Sequence, residues 1–152
     1  MRQLRPDPGA RLKTLRLYTD GASRGNPGPA ALGVVIADDQ DMPLRTFHRW
    51  LGATTNNEAE YRAVIDGLKA VEEWKPDRLE IYMDSKLVVE QLNGGYRVKS
   101  PDLQPLHRQA KELMSRLPVV VVKHVERALN KKADHLANLA IDEHVKKPKR
   151  PG

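Results

Sequence analysis

The sequence predicts an α/β domain in which one mixed, five-stranded sheet is flanked by helices, with elements in the order β-β-β-α-β-α-α-β-α. Three observations lead there. Apolar residues alternate or run together over five short stretches bounded by Gly, Pro and Asp. The period becomes helical over four others. No internal repeat or long linker divides the 152 residues, a length that suits one domain with a real core.

LRLYTD, residues 15–20, sets Leu15 and Leu17 against Arg16 and Tyr18 and reads as a strand ending at Asp20. A turn containing Gly21, Gly25, Asn26, Pro27, Gly28 and Pro29 follows. AALGVVIADD is a buried strand and MPLRTFHRWLG a third, joined through the polar DDQD as a hairpin, so the first three strands form an antiparallel meander. Residues 54–74 are helical, with Glu60, Val64, Leu68 and Val71 on one face and Thr55, Asn56 and Asn57 suited to cap its start. DRLEIYMD is a strand ending at Asp84, and SKLVVEQLN a short helix with Ser85 at its N-cap. GGYRVKSPDLQP is a loop, and residues 103–117 form a helix interrupted early by Pro105. PVVVVKHV reads as a fully apolar strand. A last helix, residues 130–147, turns Ala133, Leu136, Ala137, Ala140 and Ile141 inward. Residues 14–145 make the folded domain, between a disordered N-terminal segment, 1–13, and a basic tail, 146–152.

Composition removes several classes of function. With no cysteine there is no disulfide framework, thiolate metal site or cysteine nucleophile, and a reducing, cytoplasmic setting is expected. No apolar run is long enough to span a bilayer. A formal charge of +6, from 26 Lys plus Arg against 20 Asp plus Glu, favours a polyanionic partner. Much of that excess lies near the two ends, where a solvated terminus and a nucleic-acid-binding arm look alike in composition.

The carboxylates are more specific. If the strands ending in Asp20 and Asp84 are parallel neighbours, their carboxyl ends open onto one crevice, where open α/β sheets place ligands. Glu60 shares its helical face with Val64 and Leu68 and so points at the sheet. Asp134 lies one turn before Ala137 and Ile141. Alone, each aspartate is an ordinary turn or cap residue. Together, four acids from four elements repel one another, and a hard divalent cation relieves that repulsion. Oxygen ligands without a His or Cys cluster favour Mg²⁺ or Mn²⁺ over zinc. Glu58, in the first helical turn, complements the helix dipole and is expected at the surface.

Four stretches, TDGASRGNPGPAALGVVI, TTNNEAEYRAVIDGL, IYMDSKLVVEQLNG and NKKADHLANLA, together resemble the type 1 ribonucleases H in the family's order, over roughly residues 15–142. The resemblance implies a ribonuclease H fold and hydrolysis of the RNA strand of RNA–DNA hybrids with two Mg²⁺ ions, leaving 5′-phosphate and 3′-hydroxyl ends. It places the four family acids on Asp20, Glu60, Asp84 and Asp134. It makes Asn26 a hybrid contact and Thr55, Asn56, Asn57, Ser85 and Lys86 further substrate-binding residues. The amides of Asn26, Asn56 and Asn57 both donate and accept, which suits reading of 2′-hydroxyls in a shallow minor groove. A monomer is the expected state.

The chain departs from the family in two places. The basic, aromatic-rich handle of larger members is replaced by the short GGYRVKSPDLQP, with Arg97 and Lys99 as its phosphate partners. The glycine-containing loop that carries a catalytic His in many relatives is here HVERALN. His124 has the family's spacing before Asp134 but ends an apolar strand and is open to a core role, while Arg127 lies on the loop itself. The competing functions are a catalytically weak domain that binds hybrid or double-stranded RNA, and another nuclease or integrase of the same fold.

Overall fold

A computed structural model describes residues 14–145. Both terminal segments considered above, 1–13 and 146–152, lie outside the described residues. The strands are β1 (Thr14–Ser23), β2 (Gly28–Ala37), β3 (Pro43–Thr54), β4 (Arg78–Met83) and β5 (Val120–His124). The helices are α1 (Asn56–Val71), α2 (Lys86–Leu92), α3 (Gln104–Ser115) and α4 (Lys131–His144), with single 3₁₀ turns at Glu72–Trp74 and Arg127–Leu129.

The strands form one sheet in the order β3-β2-β1-β4-β5. β1, β2 and β3 pair antiparallel, as the meander requires, while β4 and β5 add in parallel to β1. Leu15 and Leu17 on β1, Leu79 and Ile81 on β4, and Val64 and Leu68 on α1 are fully buried in the main core. Each such side chain is worth about 1.5–3 kcal/mol in burial. Ala31 and Trp50, on the opposite sheet face, meet Ala140 and Ile141 of α4.

Several boundaries differ from expectation for local reasons. β1 runs past Asp20 to Ser23, because β2 continues to pair with it through Asp20↔Gly33 and Ser23↔Ala30. Pro105 does not interrupt α3 but occupies its first turn, where a missing N–H costs nothing. β5 is an edge strand, not a fully buried one: Val122 is buried, and Lys123 and His124 are exposed. Leu136 is half-buried, whereas Ala133, Ala137, Ala140 and Ile141 are buried as the helical period requires.

Two glycines set the layer spacing. A Cβ on Gly21 would lie 2.2 Å from the Ala59 carbonyl carbon, so α1 can reach β1 only because residue 21 has no side chain. A Cβ on Gly33 would lie 2.1 Å from the Ala133 carbonyl oxygen and 2.8 Å from the Ala137 nitrogen, against the backbone of α4. Gly67 is different, since its Cβ would meet Leu17 methyl groups at 2.8 and 3.0 Å, and a side chain can yield. Gly33→Ala should therefore cost ~3 kcal/mol or more by urea denaturation, at the upper end for overpacking. Gly67→Ala should cost clearly less, helped by alanine's helix propensity of about 1 kcal/mol over glycine.

Candidate active site

The register of the parallel pair builds the floor of the site. β1 and β4 pair as far as Tyr18↔Tyr82. Two residues further along each strand, Asp20 and Asp84 emerge at the same level. Asp84 leads into α2, whose N-cap Ser85 accepts the Val88 N–H at 3.3 Å. Glu60 enters from α1, and its Oε1 accepts the Gly21 N–H at 3.1 Å. Ligand oxygens of Asp20, Glu60 and Asp84 all lie within 4.8 Å of one another. Asp134, in the first turn of α4, lies outside this three-carboxylate cluster, although it is among the groups that raise the Asp20 pKa. Its side chain is 31% exposed, against 2% for residues Asp20 and Glu60.

This arrangement is electrostatically unfavourable as it stands. Asp20 Oδ2 and Glu60 Oε2 are buried and accept no hydrogen bond. The Asp20 pKa is raised far above the carboxylate range, first by burial and then by the neighbouring Glu60 and Asp84 charges. Glu60 is raised as well, again by burial first, against the opposing Gly21 N–H and the more distant Arg127. Orphaned carboxylate oxygens in a cluster whose ligating side chains are all carboxylates fit a hard divalent cation.

The remaining residues group around this floor. Thr55 caps α1, its Oγ1 accepting the Glu58 N–H at 3.2 Å. Asn26 lies in the β1–β2 turn, which contains a cis Asn26–Pro27 peptide, and its Oδ1 accepts the Asn56 N–H at 3.2 Å. Asn26 and Asn56 are thus tied together and exposed, with Asn57 beside them half-buried. Lys86 is exposed in the first turn of α2. Glu58 is not fully at the surface: it is half-buried, and its Oε2 accepts from the Thr54 hydroxyl. His124 is not a core residue. It is exposed at the end of β5, with Nε2 3.3 Å from the Asp84 carbonyl oxygen. Arg127 is 79% exposed, its Nη2 3.8 Å from Asp134 Oδ1.

Sequence reasoning passed over three residues here. Asn130 is 2% exposed, and its Nδ2 donates to the Thr19 carbonyl at 2.9 Å and to Asp84 Oδ2 at 3.4 Å. Asn138 Nδ2 donates to Asp134 Oδ1 at 3.3 Å, and Arg24 approaches Asn138 from the β1–β2 turn. The i, i+4 spacing of Asp134 and Asn138 was the one available signal, since such pairs are neighbours on a helix.

Comparison with known proteins agrees with this geometry. The family model for reverse transcriptase-like proteins matches residues 18–140. The chain is 41% identical over 140 residues to ribonuclease HI of Halobacterium salinarum, covering 92% of this chain and 69% of that protein. It is 36% identical over 148 residues to a ribonuclease H of Coxiella burnetii, covering 88% and 94%. The crystal structure of RNase H1 from H. salinarum matches with a TM-score of 0.83 over 86% of this chain and 98% of that one. LC11-RNase H1 from compost, solved in complex with an RNA/DNA hybrid, matches with a TM-score of 0.83 and 38% identity over 87% of this chain and 99% of that one. The chain belongs to the type 1 ribonucleases H.

The raised carboxyl pKa values carry a signed consequence for stability. Below the ordinary values of 3.8 for Asp and 4.5 for Glu, both folded and unfolded chains are protonated and nothing is lost. As pH rises above them, the unfolded chain ionises while the native cluster resists, so native stability falls. In chelator, Asp20→Asn should therefore be more stable than the parent, and the gap should widen from pH 5 to pH 8 to roughly 1–3 kcal/mol, the scale of one unsatisfied buried group. Urea denaturation at the two pH values measures it.

Proposed function

We propose that this chain hydrolyses the RNA strand of RNA–DNA hybrids as a metal-dependent endonuclease, leaving 5′-phosphate and 3′-hydroxyl ends. The observation that carries this reading is the convergence of Asp20, Glu60 and Asp84, two of them with orphaned buried oxygens, beside an exposed asparagine pair. Asp20, Glu60, Asp84 and Asp134 would hold two Mg²⁺ ions, with Mn²⁺ as a substitute. When bound, such ions supply charge neutralisation at the phosphate and acidify the attacking water.

The chain's own residues do the rest. Asn26, Asn56 and Asn57 read the 2′-hydroxyls that distinguish the RNA strand. Thr55 and Ser85 keep these contacts in register by capping α1 and α2, and Lys86 pairs with a backbone phosphate. A water oxygen attacks phosphorus, the P–O3′ bond breaks, and the departing O3′ takes up a proton. His124 handles that proton traffic in this reading: with Nε2–H donated to the Asp84 carbonyl, Nδ1 is left free to accept a proton. Arg127, always charged, orients the phosphate or helps release product. Action as a monomer is part of this reading. The domain proper spans residues 14–145, in a cytoplasmic setting that the absence of cysteine suits.

Asp20→Asn, Glu60→Gln and Asp84→Asn should each abolish Mg²⁺-dependent cleavage of a labelled hybrid while leaving hybrid binding intact in filter-binding assays. Glu58→Gln should cut at the parental rate. RNA–RNA and DNA–DNA duplexes of the same sequence should remain intact. Cleavage that survives any of the three acid substitutions would remove that residue from the site, and hybrid binding by a parent chain that never cuts would favour the binding-domain reading.

A separate test concerns the loop. His124→Ala should lower kcat by ~10- to 100-fold near neutral pH with KM nearly unchanged, in the lower range for lost acid–base assistance. Arg127→Ala should cost less. The reverse ranking would transfer the role to the arginine.

A further inference from the structure

The turn between β1 and β2 is fastened at both ends of the site. On one side Asn26 accepts the Asn56 N–H of α1 at 3.2 Å. On the other side Arg24 crosses to α4. Its Nη2 lies 2.7 Å from Asp142 Oδ1 and 3.4 Å from both the carbonyl oxygen and Oδ1 of Asn138. Asn138 in turn donates Nδ2 to the Asp134 carbonyl at 3.0 Å and to Asp134 Oδ1 at 3.3 Å.

Asp134, Asn138 and Asp142 follow one another at intervals of four along α4, so they form a single row on its surface. The row meets the turn through one guanidinium. Asn138 is oriented by this contact: an amide that presents its oxygen to Arg24 must present its nitrogen to Asp134. Asp134 is also less buried than Asp20 and Glu60 and, unlike Asp20, is not walled in by the sheet. Its carboxylate therefore depends on local hydrogen bonds for its position. Arg127 approaches the same Oδ1, at 3.8 Å.

We infer that Arg24 and Asn138 are positioning residues that fix the Asp134 carboxylate and tie it to the turn carrying Asn26. This rests on the reading of Asp134 as a metal ligand. It adds that the segment reading the RNA strand and the partly exposed acid on α4 move as one unit, so that hybrid seated on the turn also holds Asp134 in place.

The test uses the full chain and the variants Arg24→Ala, Arg24→Lys, Asn138→Ala and the Arg24→Ala/Asn138→Ala double. Two quantities are read: the Mg²⁺ concentration at half of the Mg²⁺-induced rise in Tm, and kcat with KM for a hybrid. Arg24→Ala and Asn138→Ala should each raise the Mg²⁺ midpoint and lower kcat by about 10-fold, the usual scale for removing a ligand's hydrogen-bonding support. KM should stay within about twofold if binding of the hybrid is untouched. The double variant should be no worse than either single, as expected for two members of one chain of contacts. Arg24→Lys keeps a cation near Asp142 but loses the planar guanidinium whose Nη2 reaches both Asp142 and Asn138, and should fall between parent and Arg24→Ala.

Unchanged midpoints and kcat, or additive losses in the double variant, would overturn the inference. A rise in KM with a salt slope smaller by about one would instead make Arg24 a phosphate contact, and would also overturn it. A parent chain that fails to cut hybrid would sink the proposed activity alone, because the Mg²⁺ midpoints of the variants still decide what holds Asp134.

Discussion

The parallel pairing of β1 with β4 fixes Asp20 and Asp84 at one level of the sheet, and α1 then lowers Glu60 onto them. Everything near the site accommodates that meeting of like charges. Gly21 gives up a side chain so that the α1 backbone can approach, and its N–H then satisfies one oxygen of Glu60. The other Glu60 oxygen and one oxygen of Asp20 are left without donors. A fold that buries such atoms gives up stability in the metal-free state and gains a site whose donors need no rearrangement when a cation arrives.

The acids differ in how they are held, and this follows from their elements. Asp20 and Glu60 are fixed by burial within packed layers. Asp84, at the strand end, is braced by Asn130, whose amide also holds the carbonyl before Asp20. Asp134 sits on a helix that reaches the sheet through small residues, with Gly33 directly beneath Ala133. Its side chain is steadied by Asn138 and, more loosely, by Arg127. The acids thus differ in burial, with Asp20 and Glu60 inside the packed layers and Asp134 partly exposed on α4 beside Arg127 of the HVERALN loop.

Most of the architecture was legible because hydrophobic period and turn residues agreed along the chain. The order of elements along the chain, the antiparallel meander and the inward face of α1 all follow from patterns within single elements and the turns that join them. The errors arose where a partner element decides. β1 continues beyond Asp20 because β2 pairs with it, which no feature of LRLYTD reveals. β5 looks wholly apolar, yet its place at the sheet edge exposes Lys123 and His124, and so removes the core reading of that histidine. Pro105 breaks a helical pattern on paper but sits where a helix tolerates it. The four acids were visible through their elements and local sequences. Asn130, Asn138 and Arg24 were not, because their roles depend on contacts across 46 to 114 positions of sequence or on an amide's orientation.

With Asp20 and Glu60 both pushed up by burial, the carboxyl cluster holds protons that a divalent cation displaces. Isothermal titration of the chain with Mg²⁺ at pH 7, repeated in buffers of different ionisation enthalpy, measures that displacement directly, because metal binding at protonated ligands must release protons. The parent chain should show a net release of protons on binding, and Asp20→Asn neither comparable binding nor release. Mg²⁺ binding without proton release, or equal binding by Asp20→Asn, would contradict it.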